Sequence, residues 1–327
     1  MTKSVFKTLP ALLVIAGSLV APVPAWSQAW PQKPVRVFIG FPPGGTPDIV
    51  MRLISPKLSE GLGQPIIVEN RTGAGGVIAM ELVAKAPADG YTLALGTLGT
   101  MLLSKALFPN AAFDSLSSFE PISIFSKTSF IVVSHPNLPP RTLKEFIAFA
   151  KTQPGKLNYG SGTPGGPLHV FSEMFKSQAG LDIVGIAFRG STDSSASFLA
   201  GNVQVLVDAY PTIGPLVVAN KAIPLLVTSA ERRKDMPNVP TAREAGMPDY
   251  EVASWIGIVA PAGTPAPVVR RINAEVARTM VDVEVIAAVV KIGLEPTSNT
   301  PEQFRAQIKS DWPKFSALVK ASGADSK

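Results

Sequence analysis

The chain has 327 residues, and 30 lysines and arginines against 24 aspartates and glutamates give a formal charge of +6. It contains no cysteine, which excludes disulfides, thiol chemistry and cysteine-ligated metals. The basic residues are dispersed except for Arg232-Arg233-Lys234, a pattern typical of a solvated turn. A nucleic-acid-binding protein would show a basic stripe with interleaved aromatic residues, so we expect no nucleic-acid partner.

Residues 1–29 have the composition of a cleavable secretory signal peptide. Lys3 and Lys7 precede the apolar stretch Leu9–Val20, and a segment rich in small residues follows it. The alternative is an anchoring helix, but the apolar stretch is shorter than the roughly 20 residues that a membrane span needs. We therefore expect a periplasmic protein without stable membrane insertion, whose remaining length suggests two domains.

The first part of the chain alternates predicted strands, glycine-rich loops and helices. Its β-rich runs, at 35–41, 65–69 and 91–95, are followed by loops that contain Gly44-Gly45, Gly73–Gly76 and Gly96-Thr97. Thr46-Pro47 predicts a helix with Thr46 as N-cap, ended by Gly61 and Gly63, and 77–86 predicts another helix. This order is typical of a parallel sheet in an α/β domain.

Two long β-rich stretches, 119–134 and 250–259, predict crossings between two lobes. Between them the alternation continues, with predicted strands at 157–160, 183–188, 203–207 and 223–227. Capping-box patterns start at Thr142 and Thr241, and Thr264 and Thr300 are each predicted to cap a C-terminal helix. We expect one lobe from 30–126 plus 251–327 and a second from 127–250, joined by two crossover segments.

The glycine loops lie at the predicted carboxyl ends of parallel strands, where open α/β sheets bind ligands. Loops that open helices, at Gly44-Gly45 and at Gly165-Gly166, would present unpaired N–H groups to an anion. The alternative is that these glycines only tighten turns, that Asp48 complements its helix dipole and that Phe41 belongs to the core. The predicted ligand-binding residues are Phe41, Gly44, Gly45, Thr46, Asp48, Gly96, Thr97, Ser161, Gly162, Thr163, Gly165, Gly166, His169 and Asp208.

Catalytic, cofactor and metal sites find less support in the sequence. A nucleophile elbow needs Gly-x-Ser-x-Gly around Ser161, but Tyr159 occupies the first glycine position. No Walker motif and no Asp-rich metal loop occurs, so we expect no cofactor, no metal and no enzyme activity. A periplasmic serine hydrolase using Ser161 and His169 stays open as an alternative, as does a ligand-sensing partner of a membrane signalling protein.

The chain resembles the Bug-type substrate-binding proteins of tripartite tricarboxylate transporters. The resemblance rests on short segments spread over nearly the whole chain: Phe41-Pro-Pro-Gly-Gly45, Val68-Glu-Asn-Arg71, Ala88-Asp-Gly-Tyr91, Tyr159-Gly-Ser161, Phe188-Arg-Gly190, Val239-Pro-Thr241 and Ala260–Pro265. It implies a type II periplasmic binding-protein fold. It also implies a receptor that holds a small carboxylated solute through loop backbone groups and delivers it to membrane permease subunits. We expect this receptor to be a monomer.

Three positions depart from the family pattern. Thr163 stands where relatives usually have glycine, Gly166 where they have a hydroxyl residue, and Phe188 where they have tyrosine. Because two hydroxyl groups are lost, we expect a less polar distal pocket. Such a pocket would suit a monocarboxylate or an aromatic acid better than citrate.

Overall fold

The computed structural model describes residues 1–2, 30–162, 164 and 166–321. The predicted signal peptide, Thr163 and Gly165 therefore lie outside the described residues. The strands are β1 (Val35–Ile39), β2 (Ile66–Asn70), β3 (Thr92–Thr97), β4 (Phe119–Ser134), β5 (Asn158–Ser161), β6 (Val184–Ala187), β7 (Val205–Ala209), β8 (Ile223–Val227), β9 (Ala253–Pro261) and β10 (Glu295–Pro296).

Helices connect most of these strands. The α-helices are α1 (Thr46–Leu62), α2 (Val77–Ala84), α3 (Ser104–Leu107), α4 (Leu143–Lys151), α5 (Pro167–Ala179), α6 (Ser191–Leu199), α7 (Tyr210–Val218), α8 (Ala266–Thr279), α9 (Val283–Lys291) and α10 (Pro301–Ala321). None of the helices in the described part of the chain is both long enough and apolar enough to span a bilayer.

The strands form a continuous mixed sheet in the order β2-β1-β3-β9-β4-β7-β5-β6, with β8 and β10 also paired to β4. Strand β1 pairs parallel with β2 and β3, and β5 pairs parallel with β6 and β7. Each of these parallel groups is linked by helices, as the right-handed crossover of α/β folds requires. The predicted α/β class is confirmed.

Strands β4 and β9 connect the two parallel groups. They pair antiparallel with each other from Phe119–Pro261 to Ser129–Ala253. Beyond that ladder, β4 continues as a partner of β7 and β8. One strand of 16 residues thus belongs to both halves of the sheet. The lobe boundaries at residues 126/127 and 250/251 stay a prediction.

The core lies between the sheet and its helices. Phe119, Phe171 and Tyr250 are at most 1% exposed, and a fully buried side chain of this size contributes about 1.5–3 kcal/mol. The Tyr250 hydroxyl donates to the Phe171 carbonyl at 2.9 Å, so its polar end is satisfied inside the core.

The predicted start of α1 is wrong by one residue. Gly45 is the N-cap and accepts the first intrahelical bond through its carbonyl, while Thr46 is already helical. The helix runs through Gly61 and ends when Gly63 adopts φ 74°, a left-handed conformation that glycine tolerates. Helix α8 likewise begins after Pro265, and the Thr264 hydroxyl donates to Pro261 instead of capping the helix.

The predicted capping boxes had different outcomes. Thr142 and Glu145 form the reciprocal bonds that open α4, and Thr300 and Gln303 do the same for α10. Thr241 and Glu244 make such bonds too, but the segment is only a turn because the chain reverses soon afterwards at Gly246, φ 76°.

Candidate functional site

A cleft opens at the carboxyl ends of the parallel strands. It encloses about 860 Å³, including the space open to solvent at its mouth. Its walls come from the loops after β1, β2, β5, β6 and β7, and its floor from β4 and β9. Aromatic and aliphatic side chains, including Phe41, Phe130, Leu168 and Ile256, line it together with hydroxyl residues.

Four helices of at least nine residues begin at this cleft, and three of them have a glycine as N-cap. Helices α1, α5 and α6 have the N-caps Gly45, Gly166 and Gly190, all of which line the cavity. The first N–H groups of a helix have no partner inside it, and the helix dipole places partial positive charge there. Their convergence makes the cleft receptive to an anion without a cationic side chain.

The β1–α1 loop is held in place by Asp48, which is 4% exposed. Its Oδ2 accepts the Gly44 N–H at 3.0 Å, and its Oδ1 accepts Arg52 Nε and Asn70 Nδ2, both at 2.9 Å. Asp48 does not line the cavity. It fixes the loop and removes the Gly44 N–H from the groups that a solute can use.

The β2–α2 loop approaches β1 so closely that two glycines are needed. A Cβ placed on Gly40 would lie 2.6 Å from the Cα of Gly76. Gly76 itself has φ 98°, and Gly75 has φ 62°, both in the left-handed region. This contact brings Gly75 and Gly76 into the cavity wall beside Thr72.

Hydroxyl residues from the two long strands lie on the cavity floor. Thr128 of β4 and Ser254 of β9 are direct cross-strand partners and both line the cleft. Sequence reasoning missed them because neither lies in a glycine-rich loop at the end of a strand. Their signal was hydroxyl residues in the middle of each predicted crossing, which indicate a shared site only once the two strands are paired.

The rims of the cleft touch each other directly. The Thr46 and Thr212 hydroxyls are 3.1 Å apart, and the Thr192 hydroxyl donates to the Pro43 carbonyl at 3.2 Å. The start of α6, which carries Thr192, was not among the predicted site residues. Its signal was the sequence Gly190-Ser191-Thr192 after a predicted strand, which repeats the glycine-and-hydroxyl pattern of Gly45-Thr46.

Charged groups are sparse at the described part of the wall, where Asp208 and Arg189 are the ionisable side chains. Arg189 pairs with Asp193 at 2.8 Å, and its side chain is 88% exposed. Asp208 is 3% exposed, and burial raises its carboxyl pKa to about 7. The Ser191 hydroxyl and the Ala209 N–H oppose that rise.

The predicted site residues divide into three groups. Seven line the cavity: Phe41, Gly45, Thr46, Thr97, Gly162, Gly166 and Asp208. Those placed elsewhere among the described residues are Gly44, Asp48, Gly96, Ser161 and His169. Thr163 and Gly165 lie outside the described residues. The roles of all of them in binding stay predictions.

Ser161 and His169 lie behind the wall. Both are buried, and the Ser161 hydroxyl donates its proton to the Gly162 carbonyl at 3.1 Å. A serine nucleophile would instead donate to its base. Within the described residues, no cluster of three histidines or carboxylates is placed to hold a metal ion.

Two of the three departures from the family pattern have a place in the structure. Gly166 lines the cleft, so a hydroxyl group is absent from the wall at that position. Phe188 instead packs against the apolar cluster around Phe198 and is not part of the wall. The loss of a tyrosine hydroxyl at 188 therefore does not alter cleft polarity, contrary to the expectation.

Comparison with known proteins identifies the family of this chain. Residues 50–324 match the sequence model of the tripartite tricarboxylate transporter family receptor. A solved protein of R. palustris with adipate is 32% identical with a TM-score of 0.86, over 90% of this chain and 98% of that chain. MatC from Rhodopseudomonas palustris with bound malate is 30% identical with a TM-score of 0.82, over 89% and 100%.

The periplasmic binding protein BugD is 28% identical with a TM-score of 0.86, over 90% of this chain and 99% of that chain. These likenesses confirm the predicted fold of a solute-binding protein and the resemblance to Bug-type receptors. The chain therefore belongs to the tripartite tricarboxylate transporter receptor family, whose members bind solutes and are not enzymes.

Proposed function

We propose that this chain is a periplasmic receptor that binds a small carboxylated solute in the cleft and delivers it to the membrane subunits of a tripartite tricarboxylate-type transporter. The observation that carries the proposal is the convergence of the α1, α5 and α6 N-termini on one cavity. Backbone N–H groups at helix starts favour a carboxylate over a neutral or cationic solute. Family membership supports the transport role.

The carboxylate would lie between the β1–α1 and β5–α5 loops. Helix geometry leaves the N–H groups of Thr46, Asp48 and Leu168 without intrahelical partners. Pro47 and Pro167 have no N–H to donate. Each new hydrogen bond replaces one to water and contributes only about 0.5–1.5 kcal/mol. Affinity would come mainly from the enclosed, preformed cleft.

The rest of the solute would meet Phe41, Phe130 and Ile256. Together with the glycine at 166, these side chains support the expectation of a monocarboxylate or aromatic acid. Two solved relatives hold dicarboxylates, adipate and malate. The dicarboxylates and benzoate-like acids are therefore the two classes that a binding screen has to separate.

Native mass spectrometry of protein purified without denaturation would identify a retained solute. Calorimetry with adipate, malate, citrate and benzoate would then rank the classes. We expect at least one carboxylate to bind and the corresponding uncharged amides not to bind. Equal affinity for an acid and its amide would contradict the proposed anion site, and tighter binding of citrate than benzoate would contradict the expected apolar pocket.

The hydrolase alternative is not favoured, because the Ser161 hydroxyl donates to a carbonyl and the family consists of receptors. Delivery to a transporter and signalling to a membrane protein would use the same cleft. Measuring uptake of the identified solute by cells that lack this protein distinguishes the two functions. Loss of uptake would show a transport receptor, whereas a sensor would be needed only for the cell's signalling response to the solute.

A further inference from the structure

The cleft contains one carboxyl group that the proposed binding of an anion does not use. Asp208 ends β7, in the middle of the sheet between β4 and β5, and lines the cavity. Its Oδ1 accepts the Ala209 N–H at 2.7 Å. Its Oδ2 is buried and has no hydrogen-bond partner. A buried carboxyl oxygen without a partner is costly and needs an explanation.

Among the described residues, no cationic side chain is paired with the Asp208 carboxyl group. The titratable and charged side chains on the elements that pack around β7, and directly beside them, are Glu120, Lys127, His135, Tyr159, His169, Glu173, Lys176, Arg189, Asp193 and Tyr210. Several of these are engaged elsewhere, since Arg189 pairs with Asp193 and Tyr159 donates to Glu173. Burial, and no neighbouring charge, raises the pKa of Asp208 to about 7.

A protonated, neutral Asp208 accounts for the hydrogen bonding of both of its carboxyl oxygens. Oδ1 already serves as an acceptor for a backbone N–H, so the proton belongs on Oδ2, where it makes an O–H donor. A buried donor needs an acceptor, and although the Ser191 hydroxyl lies near enough to lower the Asp208 pKa, it makes no hydrogen bond to Oδ2. A carboxylated solute in the same cavity brings acceptor oxygens. An ionised Asp208 would instead repel that solute, since the buried carboxylate would face a like charge in the same cavity.

We infer that Asp208 is a specificity-determining residue that donates an O–H hydrogen bond from Oδ2 to an oxygen of the bound carboxylate, so that solute binding is coupled to retention of a proton. This inference rests on the proposed function. It selects acids that have no ammonium group near Asp208, because an ammonium group would require the ionised carboxylate as its acceptor.

The inferred role of Asp208 can be tested by calorimetry with adipate, malate, benzoate and glutamate. The titrations are made at pH 6, 7 and 8, in two buffers of different ionisation enthalpy. If the solute binds only when Asp208 is protonated, and the pKa of Asp208 is about 7, the affinity for a carboxylate should fall about tenfold from pH 6 to pH 8. Proton uptake should approach one per bound solute at pH 8.

Asp208→Asn separates hydrogen-bond donation from proton uptake. The asparagine amide can accept the Ala209 N–H through Oδ1 and donate from Nδ2, but it does not titrate. We expect its affinity at pH 6 to lie within about threefold of the wild type. We also expect that affinity to stay constant up to pH 8, with no proton uptake. Asp193→Asn, on α6 and outside the cavity wall, is the matched control and should keep the wild-type pH dependence.

Wild-type affinity that does not change with pH, without proton uptake, would overturn the inference and leave the proposed function standing. Affinity that rises with pH, or preference for glutamate together with a large loss in Asp208→Asn, would show an ionised acceptor and overturn it too. Failure of the wild type to bind any of the four probes at any pH would contradict the proposed function, and the inference would fall with it.

Discussion

Replacing Asp48 by alanine should test how the β1–α1 loop is built. The change removes three hydrogen bonds to one carboxylate, from Gly44, Arg52 and Asn70, at a site that is 4% exposed. A shielded hydrogen bond to a charged group contributes about 1.5–3 kcal/mol. An exposed ion pair contributes about 0.2–1 kcal/mol, and the Arg52 side chain is 50% exposed. We therefore expect Asp48→Ala to lower the free energy of unfolding by about 2–4 kcal/mol.

Urea unfolding followed by circular dichroism measures that loss, and Arg52→Ala is the matched control. The control removes the bonds of Arg52 to Asp48 and Asn70 but keeps those that Asp48 makes to Gly44 and Asn70. It should cost no more than about 1 kcal/mol. If the two variants were equally stable within about 0.5 kcal/mol, the buried carboxylate would not organise the loop as described.

Three other perturbations test the cleft. Gly45→Val should weaken carboxylate binding in calorimetry while leaving thermal unfolding nearly unchanged, because φ is −75° and an added Cβ would meet Pro42 at an ordinary 3.4 Å. Thr212→Val should weaken binding about two- to tenfold by removing the bond to Thr46 that joins the rims, with no loss in urea stability above about 1 kcal/mol. Asp208→Asn should change the pH dependence of unfolding. The raised pKa of Asp208 stabilises the folded wild type below about pH 4, and this contribution, about 4 kcal/mol, is lost as the pH rises to about 7.

Each of these predictions has an outcome that contradicts it. Unchanged affinity in Gly45→Val would remove the β1–α1 loop from the anion site. Binding by Thr212→Val that matches Thr212→Ser at wild-type strength would show that the contact between the rims is incidental. Parallel stability curves for the wild type and Asp208→Asn between pH 4 and 8 would mean that the Asp208 carboxyl titrates at an ordinary pKa.

Local sequence patterns determined the secondary structure and its order. Strand β8 coincides with the predicted run and β4 with the first predicted crossing, because β-branched and aromatic residues cluster there between turn residues. Glycines after strands marked the ligand-binding edge, because carboxyl ends of parallel strands meet at one side of a sheet. Local errors arose at helix starts, where Gly45 and Thr46 are both acceptable N-caps and the backbone geometry decides between them.

Tertiary structure alone decided which candidates share the cavity. In the sequence, Asp48 and Asp208 are similar, since each is an acid beside a predicted strand or loop. In the structure, the Asp48 carboxylate accepts hydrogen bonds from three donors, whereas Asp208 lines the cleft and its Oδ2 has no hydrogen-bond partner. Thr128 and Ser254, 126 positions apart in the numbering, become neighbours only through the pairing of β4 with β9. Burial and hydrogen bonding depend on which segments meet in space, and a linear pattern contains periodicity and turn chemistry but no distances.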